Sequence, residues 1–153
     1  MSAMNEQSFA LAPQIEAGSK LILELPLSQV RLMNDARFPW LLLVPHRPAL
    51  EEWTDLNRED LMQLSVEIHQ AAQLMTRLWA PDKVNIASLG NLVRQLHIHV
   101  VGRKFGDAAW PGPVWGFASP VPYSEQVIEE LCGQLRKLMT DLPHWPEGAP
   151  VKK

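Results

Sequence analysis

One stretch of the sequence decides how the chain is interpreted: Arg94-Gln95-Leu96-His97-Ile98-His99-Val100-Val101-Gly102-Arg103. Its polar and apolar residues alternate, which is typical of a strand with one face on a core. Gln95, His97 and His99 would then share the other face. Residues two apart on a strand have Cα atoms about 6.5–7 Å apart. This row of two imidazoles and a carboxamide can therefore surround a single phosphorus centre.

The patterns on both sides of this stretch predict an α+β domain. Strands are expected over 20–25, 28–33, 40–44, 84–89 and 92–103. A long amphipathic helix is expected after the N-cap Asn57, ending at Pro81, and a C-terminal helix after Ser124. Connections of hairpin length favour an antiparallel sheet of about five strands, a half-barrel, over a parallel sheet. The prediction is a single domain with its core at about 20–142, between a flexible lead-in and a flexible tail.

Composition limits the class of protein. The 153 residues carry 14 Lys and Arg against 17 Asp and Glu, a net charge of −3. This balance argues against a surface for extended nucleic acid but leaves a small nucleotide open. The only cysteine, Cys132, excludes a disulfide framework and is expected to be buried. No apolar run is long enough to cross a membrane and no secretory leader is visible, so the chain is expected in the cytoplasm.

The two histidines leave other interpretations open. Histidines two residues apart on a strand are often structural, and the same spacing also occurs among metal ligands. A zinc site would need at least one more strong ligand. Asp107, His46 and Glu24 are candidates, but none stands at a spacing that points to it. No metal or cofactor is therefore expected.

The stretch resembles the signature of the histidine triad (HIT) superfamily, a His-x-His-x-His strand in which every x is apolar. His97 and His99 match the second and third positions, and Gln95 fills the first. The resemblance extends over about 21–103. Asn34 precedes the strand that runs into Val44-Pro45-His46-Arg47-Pro48, as a ribose-contacting asparagine does in the family. Asn85 and the turn Gly90-Asn91 resemble the family's Asn…Gly-Gln segment.

The resemblance implies hydrolysis or transfer at the α-phosphate of a nucleoside phosphate. His97 would attack the phosphorus and form a covalent nucleotidyl-histidine, with its other ring nitrogen held by the backbone carbonyl of Gln95. His99 and the Gln95 amide would hold the phosphate, and Asn34 the ribose. Arg103 would pair with a phosphate or cap a strand end. The substrate would be a nucleoside monophosphate or a dinucleotide, and the chain would form a homodimer.

Three positions depart from the family's pattern. Gln95 cannot titrate, Trp40 stands where the family has a fourth histidine, and Leu92 stands where a leaving-group hydroxyl is common. These departures support an alternative, a nucleotide-binding or interaction module with little turnover. Trp110 and Trp115, in a loop rich in proline, would either stack on a base or act as a lid.

Overall fold

The computed structural model describes residues 8–142. The strands are β1 (Ser19–Glu24), β2 (Ser28–Met33), β3 (Trp40–Pro45), β4 (Lys83–Ser88) and β5 (Ile98–Arg103). The helices are α1 (Pro13–Gly18), α2 (Arg58–Trp79) and α3 (Glu125–Thr140), with a 3-10 turn at Trp53–Asp55. The expected C-terminal tail and the start of the lead-in lie outside the described residues.

The five strands form one antiparallel sheet in the order β1-β2-β3-β5-β4. This confirms the predicted α+β fold. β5 lies between β3 and β4, with His99 opposite Leu42 on one side and Ala87 on the other. The histidine-bearing strand is therefore held on both edges by backbone hydrogen bonds. Within residues 8–142, no helix has the length and apolar character needed to cross a membrane.

The long helix α2 has the predicted boundaries. Asn57 caps it, since its Oδ1 accepts a hydrogen bond of 2.8 Å from the backbone N–H of Asp60. The helix ends where Ala80 takes a left-handed conformation (φ 43°) ahead of Pro81. Its apolar stripe packs on one face of the sheet, with Leu64, Leu74 and other side chains that are fully buried.

The two faces of the sheet have different coverings. Ile98 and Val100 of β5 point into the core shared with α2 and α3. The opposite face carries His97 and His99 and a second apolar cluster that includes Trp40 and Leu42. The segment 9–15 and the loop around Val114 cover part of this second face. The uncovered part is the location of the candidate site.

The strand predicted over 92–103 is shorter than expected, because regular pairing begins only at Ile98. Its neighbour β4 already ends at Ser88, and β3 ends at Pro45. Upstream of Ile98 the backbone leaves the sheet, and the N–H of Leu96 bonds instead to the carbonyl of Leu50. The prediction that Gln95 continues the strand is wrong, although His97 and His99 do share a face.

Candidate active site

A cleft of about 430 Å3 lies beside the two histidines. No Asp, Glu, Lys or Arg side chain is among the residues that line it. Its walls are formed by Met33, Trp40, Leu89, Asn91, Leu92, Val93, His97, His99, Trp115 and Gly116. Such a cavity, mostly apolar with a few convergent polar groups, is typical of a small-molecule site.

The His97 ring is oriented by the backbone two residues before it. Its Nδ1 lies 2.6 Å from the carbonyl oxygen of Gln95. A carbonyl only accepts, so the proton of the neutral ring is on Nδ1 and the lone pair is on Nε2. The side chain is only 6% exposed. The carbonyl contact expected from the resemblance is therefore present, and Nε2 is the ring's nucleophilic atom.

The His99 ring is held by Trp40. The indole Nε1–H donates a hydrogen bond of 3.0 Å to Nδ1 of His99. The neutral ring therefore carries its proton on Nε2, which is buried and makes no hydrogen bond of good geometry among the described residues, only a weak contact with the Leu89 backbone. Burial, and secondarily the nearby His97, lower the pKa of His99 to about 3, against a smaller raising effect of the Leu89 backbone. His99 is thus a neutral donor at physiological pH.

Trp115 brings a second neutral donor to the same wall. Its ring packs edge-on against His99 and Trp40, with ring centroids 5.4 and 6.1 Å away. The indole nitrogen is buried and, within residues 8–142, has no hydrogen-bond partner. His97 and His99 are themselves in edge contact, at 4.8 Å. The site thus combines one ring nitrogen that bears a free lone pair with two buried N–H groups that make no hydrogen bond of good geometry among the described residues.

The side chain of Gln95 does not join this row. Its Nε2 donates to the carbonyl of Ala10, and its Oε1 accepts from the N–H of Ala12, both at 2.8 Å. The amide therefore fastens the segment 9–12 instead of facing the cleft. The expectation that this amide holds a phosphate is corrected, because the bend at Gln95 turns the side chain toward the N-terminal segment.

Arg103 and Asn85 bind each other outside the cleft. The Arg103 guanidinium makes two hydrogen bonds to the Asp107 carboxylate, at 2.7 and 2.9 Å, and a third to Asn85 Oδ1 at 3.1 Å. It is 2% exposed. The same contact lowers the pKa of Asp107. The expected phosphate and nucleotide contacts of these two residues are therefore replaced by a structural ion pair at the end of β5.

The remaining predicted residues lie at or near the cleft. Asn91 lines it, while Gly90 does not, although its backbone lies close to the carbonyl of Val93. Asn34 follows the cleft residue Met33, and its Oδ1 accepts from the N–H of Tyr123 at 2.8 Å.

The candidate metal ligands do not converge. In the described part of the chain no group of three or more His, Cys, Asp or Glu side chains could hold a metal ion. Asp107 is bound to Arg103, and the ring of His46 stacks on Phe9 with centroids 4.0 Å apart. Glu24 accepts from Gln29. The Nδ1 atoms of His97 and His99 are also already engaged.

The hydrogen bond from Trp40 to His99 was not predicted from the sequence. The signal was available, since the resemblance placed Trp40 where the family has a fourth histidine. Met33, Leu89 and Val93 were not predicted at all. Isolated apolar residues near a turn carry no pattern that distinguishes a cleft wall from core.

Comparison with known proteins identifies the family. The sequence matches the HIT domain family over residues 14–106. A histidine triad protein from Sinorhizobium meliloti 1021 is 40% identical, with a TM-score of 0.82 over 84% of this chain and 96% of that one. A histidine triad protein from Marinobacter aquaeolei VT8 is 39% identical, with a TM-score of 0.84 over 89% and 99%. The chain therefore belongs to the HIT family.

A more distant structure shares the fold alone. Diadenosine triphosphate hydrolase from Plasmodium falciparum, solved in complex with cyclomarin A, is 16% identical, with a TM-score of 0.64 over 92% of this chain and 88% of that one. No curated protein matches the sequence.

Proposed function

We propose that this HIT protein is a nucleotide hydrolase or nucleotidyl transferase of the cytoplasm. It acts at the α-phosphate of a nucleoside phosphate through a covalent nucleotidyl-histidine. The observation that carries the proposal is the hydrogen bond of 2.6 Å between His97 Nδ1 and the Gln95 carbonyl. It leaves the lone pair of Nε2 available on a ring that lines the cleft.

The reaction has two displacements. Nε2 of His97 attacks the α-phosphorus, the bond from phosphorus to the leaving group breaks, and the leaving group departs with the electron pair and takes a proton from solvent. Water or another acceptor then attacks the same phosphorus and gives up a proton to solvent, the phosphorus–nitrogen bond breaks, and its electron pair returns to Nε2. Dividing one displacement into two is the advantage of nucleophilic catalysis.

Charge that develops on the non-bridging oxygens needs preorganised donors. His99, whose ring centroid is 4.8 Å from that of His97, carries a buried Nε2–H that makes no hydrogen bond of good geometry in the described structure. A fixed donor in a site of low polarity stabilises such charge more than water would. The proposal assigns this role to His99.

In this proposal the residues of the cleft walls bind the nucleoside. Trp40, Trp115 and Met33 offer apolar surfaces for a base, and the proposal assigns the sugar to Asn91, which lines the cleft, and to Asn34, which follows Met33 in the chain. The proposed substrate class is a nucleoside monophosphate or a dinucleotide. The Plasmodium falciparum protein with which the fold is shared is named for hydrolysis of a dinucleotide, diadenosine triphosphate.

A second candidate is a nucleotide-binding module with little turnover. Two observations favour it. The Gln95 amide is occupied by the segment 9–12, and Leu92, which is 96% exposed at the cleft, cannot assist a leaving group. Neither observation affects the nucleophile itself.

A trapping experiment separates the two candidates. The protein is incubated with adenosine 5′-phosphoramidate or a diadenosine polyphosphate, and intact-mass spectrometry is used to look for an adenylylated protein while product release is followed. We expect turnover and a trapped adduct in wild type, and a loss of at least about 10³-fold in His97→Ala, because the nucleophile is removed.

The matched control is His46→Ala, an exposed histidine away from the cleft, which should keep wild-type turnover. Wild-type protein that binds AMP but turns over neither compound would establish the binding module instead. Full activity in His97→Ala would remove the proposed mechanism.

We also propose that the chain works as a homodimer. The strand order leaves one edge of β4 without a partner strand among residues 8–142. Ile86 on that strand is 51% exposed, and Leu89 beyond it is 40% exposed and lines the cleft. An unpaired edge with exposed apolar residues favours association with a second sheet.

A further inference from the structure

We propose that Trp40 is a positioning residue that keeps His99 a neutral hydrogen-bond donor throughout the range from pH 5 to pH 9, so that His99 does not make phosphoryl binding depend on pH in that range. The inference rests on the proposed function for its catalytic meaning. The state of the His99 ring can be tested without any activity.

The geometry allows only one arrangement of protons. Trp40 lies on β3 opposite Val101, one diagonal step from His99 on β5. Its Nε1–H is 3.0 Å from Nδ1 of His99. An indole nitrogen donates and never accepts, so Nδ1 must be the acceptor. Protonation of Nδ1 would place two N–H groups against each other, and this opposes the imidazolium form.

Trp40 cannot easily turn away from this contact. It is 7% exposed and belongs to the apolar cluster with Phe38, Val101 and Val114. Rotation of the indole would require that cluster to repack, which is costly in a close-packed interior. The donor is therefore held at the ring by the packing around it.

The surroundings of His99 offer no compensating charge. Leu42 of β3 and Ala87 of β4 flank it in the sheet, and Trp115 packs on it from the loop. Among the described residues, the only titratable group that acts on it is His97, which disfavours a second positive charge. The fall of the His99 pKa to about 3 has the same direction as the effect of the indole donor.

A histidine at position 40 would behave differently. An imidazole can accept as well as donate, so a histidine pair could share or exchange a proton, whereas a tryptophan cannot. In this chain His99 thus stabilises charge on the phosphoryl oxygens as a hydrogen-bond donor. It does not supply a proton to the leaving group near neutral pH.

The test compares wild type with Trp40→Phe and Trp40→His, each labelled with 15N in the histidine rings and assigned with His99→Gln. In wild type we expect His99 to show a protonated Nε2 and an unprotonated Nδ1, unchanged between pH 5 and 9. Trp40→His should introduce titration of His99 or its new neighbour within that range. It should also add a limb to the pH profile of kcat/KM, which is absent in wild type.

Trp40→Phe keeps an aromatic ring but removes the donor, so Nδ1 loses its partner and the single tautomer should be lost. Trp53→Phe, an exposed tryptophan outside the cleft, is the matched control and should leave the His99 signals unchanged. If Trp40→Phe fails to fold, the wild-type spectrum still shows which nitrogen of His99 carries the proton and whether the ring titrates, and Trp40→His still tests the effect of residue 40.

A proton on Nδ1 of wild-type His99, or titration of that ring between pH 5 and 9, overturns the proposal. So does a Trp40→His protein with wild-type ring signals and a wild-type pH profile. Absence of turnover in wild type would remove the proposed function but not the locked ring, because the spectra are recorded on free protein.

Discussion

At the scale of single residues, burial of the neutral His99 ring makes the stability of the folded protein depend on pH. His99 is 6% exposed and its pKa is lowered to about 3 from an ordinary value of 6.5. Between these two values the unfolded chain binds a proton that the folded chain does not. The folded state therefore loses stability as the pH falls through this window.

His99 should make the protein sensitive to acid. The linkage predicts that His99 alone removes about 3 kcal/mol of unfolding free energy between pH 7 and pH 4. Urea unfolding at both pH values, in wild type and in His99→Gln, measures this difference, and the drop should be smaller by that amount in the variant. His46→Gln is the control, and it should retain the wild-type drop. An equal drop in wild type and His99→Gln would show that the ring binds its proton over the same pH range in the folded and unfolded states, so that its pKa is not lowered by folding.

The sequence predicted which histidines share a face but not what the polar residues around them bind. Alternation of apolar and polar residues is a local property, so the positions of His97 and His99 followed from it. The partners of Gln95 and Arg103 are the segment 9–12 and the Asp107 loop. Which partners these side chains bind depends on tertiary contacts between segments that are distant in the sequence. The spacing of residues within one segment does not predict such contacts.

At the scale of elements, the strongly periodic segments were predicted well and the end of a strand was not. Both ends of α2 are marked in the local sequence, by the N-cap residue Asn57 and by Pro81, which follows the C-cap residue Ala80. β5 instead begins at Ile98, which pairs with Ser88 at the end of β4, although the alternation of residue types continues upstream. Hydrogen-bond partners, and not the pattern alone, set the start of this strand.

Gln95 should serve the N-terminal segment and not the substrate. Gln95→Ala removes two hydrogen bonds to the backbone of Ala10 and Ala12. We expect a loss of about 1–2 kcal/mol in unfolding free energy and faster hydrogen exchange at the Ala12 amide. Turnover should fall less than about tenfold, since the backbone carbonyl that holds His97 remains.

Gln126→Ala, which removes one exposed helix contact to Glu130, is the control for the stability effect. A loss of turnover as large as that of His97→Ala would mean that the Gln95 amide does contact the phosphate, as the alternation of residue types predicts.

At the scale of the whole molecule, the unpaired edge of β4 should determine the oligomeric state. Wild type is expected to elute as a homodimer in size-exclusion chromatography with light scattering. Ile86→Lys should shift it toward monomer, because a charge would replace an apolar side chain at the edge. Met62→Lys, which places the same charge on the exposed surface of α2, should remain dimeric. A monomeric wild-type protein at micromolar concentration would contradict the homodimer.

The aromatic wall of the cleft has a practical consequence. Two of the six tryptophans, Trp40 and Trp115, touch the space that a guest molecule would fill, and both lie against the ring of His99. The fluorescence of these two tryptophans should therefore change when a ligand binds in the cleft. A titration followed by intrinsic fluorescence needs neither dye nor radiolabel. It can therefore be used to screen a library of compounds before the natural ligand is known.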